Sequence, residues 1–560
     1  MEDTGRPKID RRSWFKNAAR LAGAGVISNA AGARRTDLPQ PRPRGPILAS
    51  DTNAVVETSF GKVRGYTRNG IFTFKGIPYG GFMGGNTRFL PPSKPEPWTD
   101  IRSSMMYGSV CPQEPRQSWK NDEEAWLFSW NDGVPGEDCL RVNVWTPGIN
   151  DGRKRPVMVW FHGGGFGAGS SQELKSYDGE RLSSRGDVVV VGVNHRLGVL
   201  GFLNLAEYDR GRYSASANAG LLDLLASLEW VRDNIANFGG NPENVTIFGQ
   251  SGGGGKVSAL MAMPQAKGLF HRAAVQSGSL LPAATPDESA GIAAATLDEL
   301  GLSRSQLDRL HTIPTEQLIL AGSAAVKKLM PPLNPIRIWD QIGWMPTVDG
   351  EILPGVPFDP LAPSVSAHVP LLIGTVLNEF LTGIDNPEAD SITEQQLRAF
   401  VSKFGDADLI IDAYREAYPN AGRFDLLSLI AASPVRRNAV LQAHRKMALG
   451  AAPAYLYLFA WKTPVLDGRP RAFHCSDLAF VFDNVDRCEN MTGGGPDAHR
   501  LAPKVSEAWI NFARTGDPNH HGLPKWPAFE AHGGSTMVFN NESTVEPEPE
   551  RLLALTAPGV

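Results

Sequence analysis

Four cysteines in 560 residues, no two of them in a CxxC pair, supply no ligand set for a zinc ribbon. The chain also lacks an excess of either charge. A formal net charge of −4 gives no reason to expect nucleic acid or an anionic membrane as partner. No apolar run is long enough to cross a bilayer, so no membrane span is expected in the mature protein. No internal repeat of fixed period is present, which sets solenoid architectures aside.

What is there is ordinary in bulk and specific in detail. A hydrophobic content of 42% suits a globular protein with a large core. The length allows several domains or one large α/β unit. Residues 1–33 read as an address. Arg11-Arg12-Ser13-Trp14-Phe15-Lys16 sets twin arginines before bulky apolar residues, and a mild Ala/Gly-rich stretch then ends in Ala31-Gly32-Ala33. That order of charged, apolar and small-residue regions predicts a Tat-type signal peptide, hence export to the periplasm or medium. Residues 34–50 read as a Pro/Arg-rich linker, and 51–560 as the folded domain.

Within that domain, short β-branched runs alternate with helical patterns. Val157-Met158-Val159-Trp160-Phe161 and Val188-Val189-Val190-Val191-Gly192-Val193 are near-continuous apolar runs, suited to strands covered on both faces. Val245–Phe248, Ala273–Gln276 and Pro370–Gly374 repeat the pattern, with helix-like segments such as 220–234 between them. The alternation predicts an α/β fold with a mostly parallel sheet flanked by helices. Two segments, near 285–330 and 386–450, read as helical insertions. The first opens on Thr285-Pro286-Asp287-Glu288, a capping-box start.

The stretch Phe248-Gly249-Gln250-Ser251-Gly252-Gly253-Gly254-Gly255-Lys256 offers two chemistries. A phosphate loop needs glycine, four residues, then Gly-Lys-Ser/Thr. Here Gln250 occupies the first glycine's place and Val257 the hydroxyl's, so that reading fails twice. A strand, then Gly-x-Ser-x-Gly, then a helix is the nucleophile elbow, which lifts a serine hydroxyl above the sheet. Upstream, Trp160-Phe161-His162-Gly163-Gly164-Gly165-Phe166 follows a strand with a glycine run whose N–H groups could form an oxyanion hole.

These motifs do not stand alone. Phe74-Lys75-Gly76-Ile77-Pro78-Tyr79, Glu137-Asp138-Cys139-Leu140, Asn194-His195-Arg196-Leu197-Gly198 and Asn218-Ala219-Gly220-Leu221-Leu222-Asp223 come in order. Phe238-Gly239-Gly240-Asn241-Pro242 and Phe512-Ala513-Arg514-Thr515-Gly516-Asp517-Pro518 complete the set. Over residues 55–540 the chain resembles the type-B carboxylesterase family, the cholinesterase-like branch of the α/β-hydrolases. The resemblance implies Ser251 as nucleophile, Glu379 as acid and His474 as base, in the hydrolase order of Ser, Glu and His. It implies Gly164, Gly165 and Gly252 as oxyanion donors, a disulfide between Cys111 and Cys139, and internal ion pairs Arg196–Asp223 and Arg88–Glu137. The chemistry it implies uses no metal and no organic cofactor.

Against the family's pattern, Gln250 replaces a glutamate beside the nucleophile, Gly252 an alanine, and Phe380 a glycine after the acid. Loss of the glutamate points to uncharged esters over cationic ones. The same parts could act on carbamates, amides or thioesters, and some relatives are catalytically dead binding domains. Cys475 and Cys488 leave a second bridge or two buried thiols open, with the bridge favoured. Trp119, Trp126 and Trp130 are read as anchors of the 111–139 loop, with an aromatic wall as the alternative. Phe166 is expected to line the pocket, and Lys256 to be a solvated or locally paired helix residue. A small-molecule ester is the expected partner, and both monomer and homodimer stay open.

Overall fold

The computed structural model describes residues 45–115, 122–279, 282–330, 343–530, 534–548 and 550–556. The proposed signal peptide and most of the linker, with Trp119, lie outside the described residues. Residues 45–50 belong to the folded part: Leu48 exchanges two backbone hydrogen bonds with Thr67.

Fourteen strands are described. In chain order they are β1 (Val55–Thr58), β2 (Gly61–Arg64), β3 (Tyr66–Arg68), β4 (Ile71–Pro78), β5 (Arg102–Ser103), β6 (Arg141–Thr146) and β7 (Arg155–Phe161). Then follow β8 (Val189–Val193), β9 (Gly240–Gln250), β10 (Arg272–Gln276), β11 (Leu371–Val376), β12 (Ala454–Phe459), β13 (Ser535–Phe539) and β14 (Thr544–Pro547). β1, β2 and β5 form a small separate sheet. The other eleven form one mixed sheet in the order β14-β13-β12-β11-β10-β9-β7-β8-β6-β4-β3. The seven strands from β13 to β8 pair in parallel, while β14, β6, β4 and β3 add antiparallel edges.

The near-continuous apolar runs have a simple cause. Val157, Val159 and Phe161 point into one core layer with Leu221, Leu224 and Leu228. Met158 and Trp160 point into the other, with Phe482 and Trp509. Side chains alternate across a strand, so a strand covered on both faces must be apolar at every position. The helix Ala219–Asn234 covers the first face and Pro496–Thr515 contributes to the second.

The two segments read as insertions hold the helices Pro286–Glu299, Thr315–Leu329, Glu394–Val401, Ala407–Ala417 and Arg423–Ala448. The first starts with the capping box expected at Thr285, whose hydroxyl accepts from the Glu288 N–H. Both implied ion pairs are formed. Arg196 Nη2 meets Asp223 Oδ1 at 2.6 Å, both fully buried, and Arg88 pairs with Glu137.

The implied disulfide is not formed in this structure. Cys111 and Cys139 are buried free thiols, the second hydrogen-bonded to the first. Cys475 and Cys488 do not pair either. The Cys475 thiol instead donates to Gln250 Oε1 at 3.2 Å.

Candidate active site

β7 and β9 are neighbours although β8 lies between them in sequence, with β8 on the far side of β7. The strand order reverses at this point, and in open α/β sheets ligands bind at the carboxyl ends of strands where that happens. In register, Phe161 on β7 sits beside Gly249 on β9, and Gln276 on β10 beside Gln250. The glycine run 163–165 and Ser251 therefore leave adjacent strand ends on the same edge.

Ser251 has φ 57° and ψ −127°, a region that non-glycine residues avoid at a cost of about 1–3 kcal/mol. Its N–H donates to the Gln276 carbonyl at 2.8 Å, which ties the turn to β10. The helix Gly252–Ala262 starts immediately and points its N-terminus at the turn. Closeness of backbones explains the glycines. A Cβ on Gly253 would lie 2.0 Å from the Phe161 carbonyl oxygen. One on Gly252 would lie 2.3 to 2.4 Å from three backbone atoms of Gly165. The alanine common in the family could not coexist with this placement of Gly165. Gly164 and Gly165 both have positive φ, 80° and 60°. Among the described residues, no hydrogen bond uses the N–H of Gly164, Gly165 or Gly252.

The other half comes from the loops after β11 and β12. Glu379, 1% exposed, accepts from the Val376 N–H at Oε1, 3.2 Å, and meets His474 Nδ1 at Oε2, 2.5 Å. The two loops are joined by backbone: His474 N–H donates to Glu379 O at 2.9 Å and Asn378 N–H to Ala472 O at 3.0 Å. Asn378 also accepts from the Ala472 N–H and donates to Ser428 Oγ at 3.1 Å. The structure thus brings Ser251, Glu379, His474, Gly164, Gly165 and Gly252 to one edge of the sheet.

Several details were not legible in the sequence. Gln250 Nε2 lies 3.0 Å from His474 Nε2 and 3.4 Å from Nδ1, over the face of the ring, and no hydrogen bond joins Ser251 to His474. The amide orientation follows from its neighbours, since the Cys475 thiol supplies a donor to Oε1. Phe380 leans on the His474 ring, centroids 3.9 Å apart and planes tilted by 33°. Asp477 is buried behind β12, accepting from Gln276 Nε2 and the Tyr457 hydroxyl, and burial pushes its pKa up to about 6. Burial also raises the Cys475 thiol well above its usual range, which makes a thiolate role there unfavourable.

Three readings need correcting. Phe166 is 1% exposed and packs edge-on against Phe202 in the core, so it does not line a pocket. Lys256, expected to be solvated or locally paired, is 0% exposed and pairs with carbonyls some 93 residues away in sequence. Trp126 is 47% exposed and anchors nothing by burial, whereas Trp130 stacks on Phe128 at 4.7 Å. Phe128, Trp130, Phe380, Phe473 and His474 line a cavity of about 370 Å³. On the other side of the glycine run, Gly164, Leu197, Val199, Leu320 and Trp344 border one of about 680 Å³.

A strained serine, a His–Glu pair and free glycine N–H groups at the switch point of an α/β-hydrolase sheet define the class of serine-dependent hydrolases. The comparisons narrow it. The model of the Carboxylesterase family matches residues 52–552, and the chain belongs to that family. It is 36% identical over 514 residues to the para-nitrobenzyl esterase of Bacillus subtilis (strain 168), covering 89% of this chain and 97% of that protein. It is 32% identical over 503 residues to the phenmedipham hydrolase of Pseudarthrobacter oxydans, covering 88% and 96%. A solved esterase from Clostridium hathewayi, described as hydrolysing aliphatic aromatic polyesters, superposes with a TM-score of 0.78 at 38% identity. That match covers 91% of this chain and 99% of the other. The protein is a carboxylic ester hydrolase.

Proposed function

We propose that the protein hydrolyses uncharged carboxylic esters through an acyl-enzyme on Ser251. The observation that carries this reading is the 2.5 Å contact of His474 Nδ1 with Glu379 Oε2, beside a serine held in elbow geometry. A serine hydroxyl is a poor nucleophile until a base takes its proton. With Glu379 holding the proton on Nδ1, His474 Nε2 carries the lone pair that does so. The Gln250 amide lies over the ring face and leaves that lone pair to the Ser251 hydroxyl, which reaches it as the ester enters. Ser251 Oγ attacks the ester carbon, and the oxygen that becomes negative is held by the N–H groups of Gly164, Gly165 and Gly252. Each such donor is worth about 3–4 kcal/mol of barrier. His474 then returns the proton to the departing alcohol, and water repeats the sequence on the acyl-enzyme. No step calls for a metal or an organic cofactor.

The group that accepts the proton from His474 leaves on the histidine's side, where Phe128, Trp130 and Phe380 line the smaller cavity. Aromatic side chains there favour an aromatic or bulky apolar alcohol. The larger cavity beyond Gly164 takes the acyl group. The neutral Gln250 beside the nucleophile adds no attraction for a cation. The same triad can open carbamates, amides or thioesters by the same acyl transfer. The twin-arginine leader supports export by the Tat route.

Hydrolysis of p-nitrophenyl and p-nitrobenzyl esters by the protein and by Ser251→Ala, each also treated with a fluorophosphonate, tests this reading. Labelling and turnover that vanish together in Ser251→Ala are expected, with kcat down by about 10⁶-fold. Turnover that survives in a folded Ser251→Ala protein overturns it.

A further inference from the structure

Lys256 lies five residues after Ser251 on the helix Gly252–Ala262, and the triad does not account for it. An ammonium is costly to bury unless something holds it. Its Nζ donates to the His162 carbonyl at 2.8 Å and reaches the Gly163 carbonyl at 3.4 Å. The Phe166 ring lies under it, centroid 5.8 Å away. Residues 162–166 are the loop that presents the free glycine N–H groups, and a single cation grips that loop from below.

In a trans peptide the carbonyl and the N–H point in opposite directions. Holding the His162 and Gly163 carbonyls toward Lys256 therefore turns the N–H groups of Gly163 and Gly164 away from it. We propose that Lys256 is a positioning residue of the oxyanion hole, which aims the Gly164 N–H at the tetrahedral oxygen and fixes the loop against the nucleophile's own helix. The proposal rests on the reading of Gly164, Gly165 and Gly252 as oxyanion donors. Glycines supply the conformations this loop needs, but they leave it soft. The cation removes that softness, and by polarising the peptide it strengthens the N–H on the opposite side. Because Ser251 and Lys256 ride on one helix, nucleophile and hole move as a unit.

Burial lowers the Lys256 pKa to about 7, with Glu173 pulling the other way, and the two carbonyls accept from Nζ whether it is protonated or neutral. A purely space-filling role would be met by methionine, which has the same reach and no such penalty.

The test compares the full-length protein with Lys256→Met and Lys256→Gln. The readouts are kcat, KM, inhibition by a trifluoromethyl ketone, and thermal melting. The ketone forms a tetrahedral adduct on the serine and needs the hole, whereas ground-state binding of an ester needs it little. Expected in both variants is a fall in kcat of about 10- to 100-fold, with KM within about twofold of the unmutated protein. Affinity for the ketone should weaken by the same factor as kcat. Folded variants that keep kcat and ketone affinity within about twofold overturn the proposal. So does a variant whose kcat and KM change while ketone affinity does not. If one variant fails to fold, the other is read alone, and an equal loss of every readout in proportion to folded protein counts against the proposal. Failure of the underlying reading looks different: the unmutated protein itself would resist the ketone, or Ser251→Ala would keep turnover.

Discussion

The nucleophile half of the site and the acid–base half are built on different principles. Ser251, Gly252, Gly253 and the run 163–165 are held by backbone pressed on backbone, with no room for a methyl group at Gly252 or Gly253. Glu379 and His474 are held by side chains: a carboxylate on an imidazole, Asn378 across two loops, Phe380 over the ring. In the first half geometry and stability are the same thing. In the second they separate, because a side chain can be exchanged for one of equal size and different chemistry. On the mechanism proposed above, the tightest tolerance falls where charge develops and the adjustable parts fall where protons move.

The largest separation is expected in Glu379→Gln. An amide at Oε2 keeps the shape but no longer orients the correct tautomer or stabilises the imidazolium, so kcat should fall by about 10⁴-fold. The melting temperature should move little, and a matching collapse in melting would break the contrast between the halves. Gly253→Ala should do the reverse. Its Cβ meets the Phe161 carbonyl oxygen, which is fixed in β7, so a loss of more than about 4 kcal/mol in unfolding free energy is expected. A variant that denatures like the unmutated protein would show that the elbow has slack. The smallest effect is reserved for Asn378→Ala. Losing its bonds to Ser428 and Ala472 should cost about 1–3 kcal/mol by chemical denaturation. The rate should fall by no more than about tenfold, because the backbone bonds from His474 to Glu379 remain.

This division also decides what was legible in the sequence. Backbone-made features leave a local trace, since only glycine fits them. Gly249-Gln250-Ser251-Gly252-Gly253 after a strand, and the run 163–165 after another, could be read directly, as could the strands whose every residue is apolar. Glu379 and His474 leave no such trace; each sits in an unremarkable loop, and only their resemblance to a family pattern placed them. Contacts between side chains distant in sequence were not legible where no family pattern carried them, as it carried Arg196–Asp223 and Arg88–Glu137. Lys256 reads as an ordinary polar residue on a helix until the loop 162–166 is laid over it. Phe166 looked like pocket lining because it adjoins the glycines, yet the turn at Gly165 sends it into the core against Phe202. The pairing of Cys111 with Cys139 was likewise placed only by the family resemblance, and the structure sets the two buried thiols within hydrogen-bonding reach.

The position of β9 between β7 and β10 also has a consequence in time. A ribosome that has just made Gln250 must add 224 more residues before His474 exists. Parallel pairing and distant loops are slow to close, because chain entropy is lost before contacts compensate for it. Throughout that interval the serine is made but chemically idle, lacking the base that would sharpen it. In the proposed mechanism the hydrolase cannot act on its surroundings until the chain has grown past His474, well over 200 residues after its nucleophile.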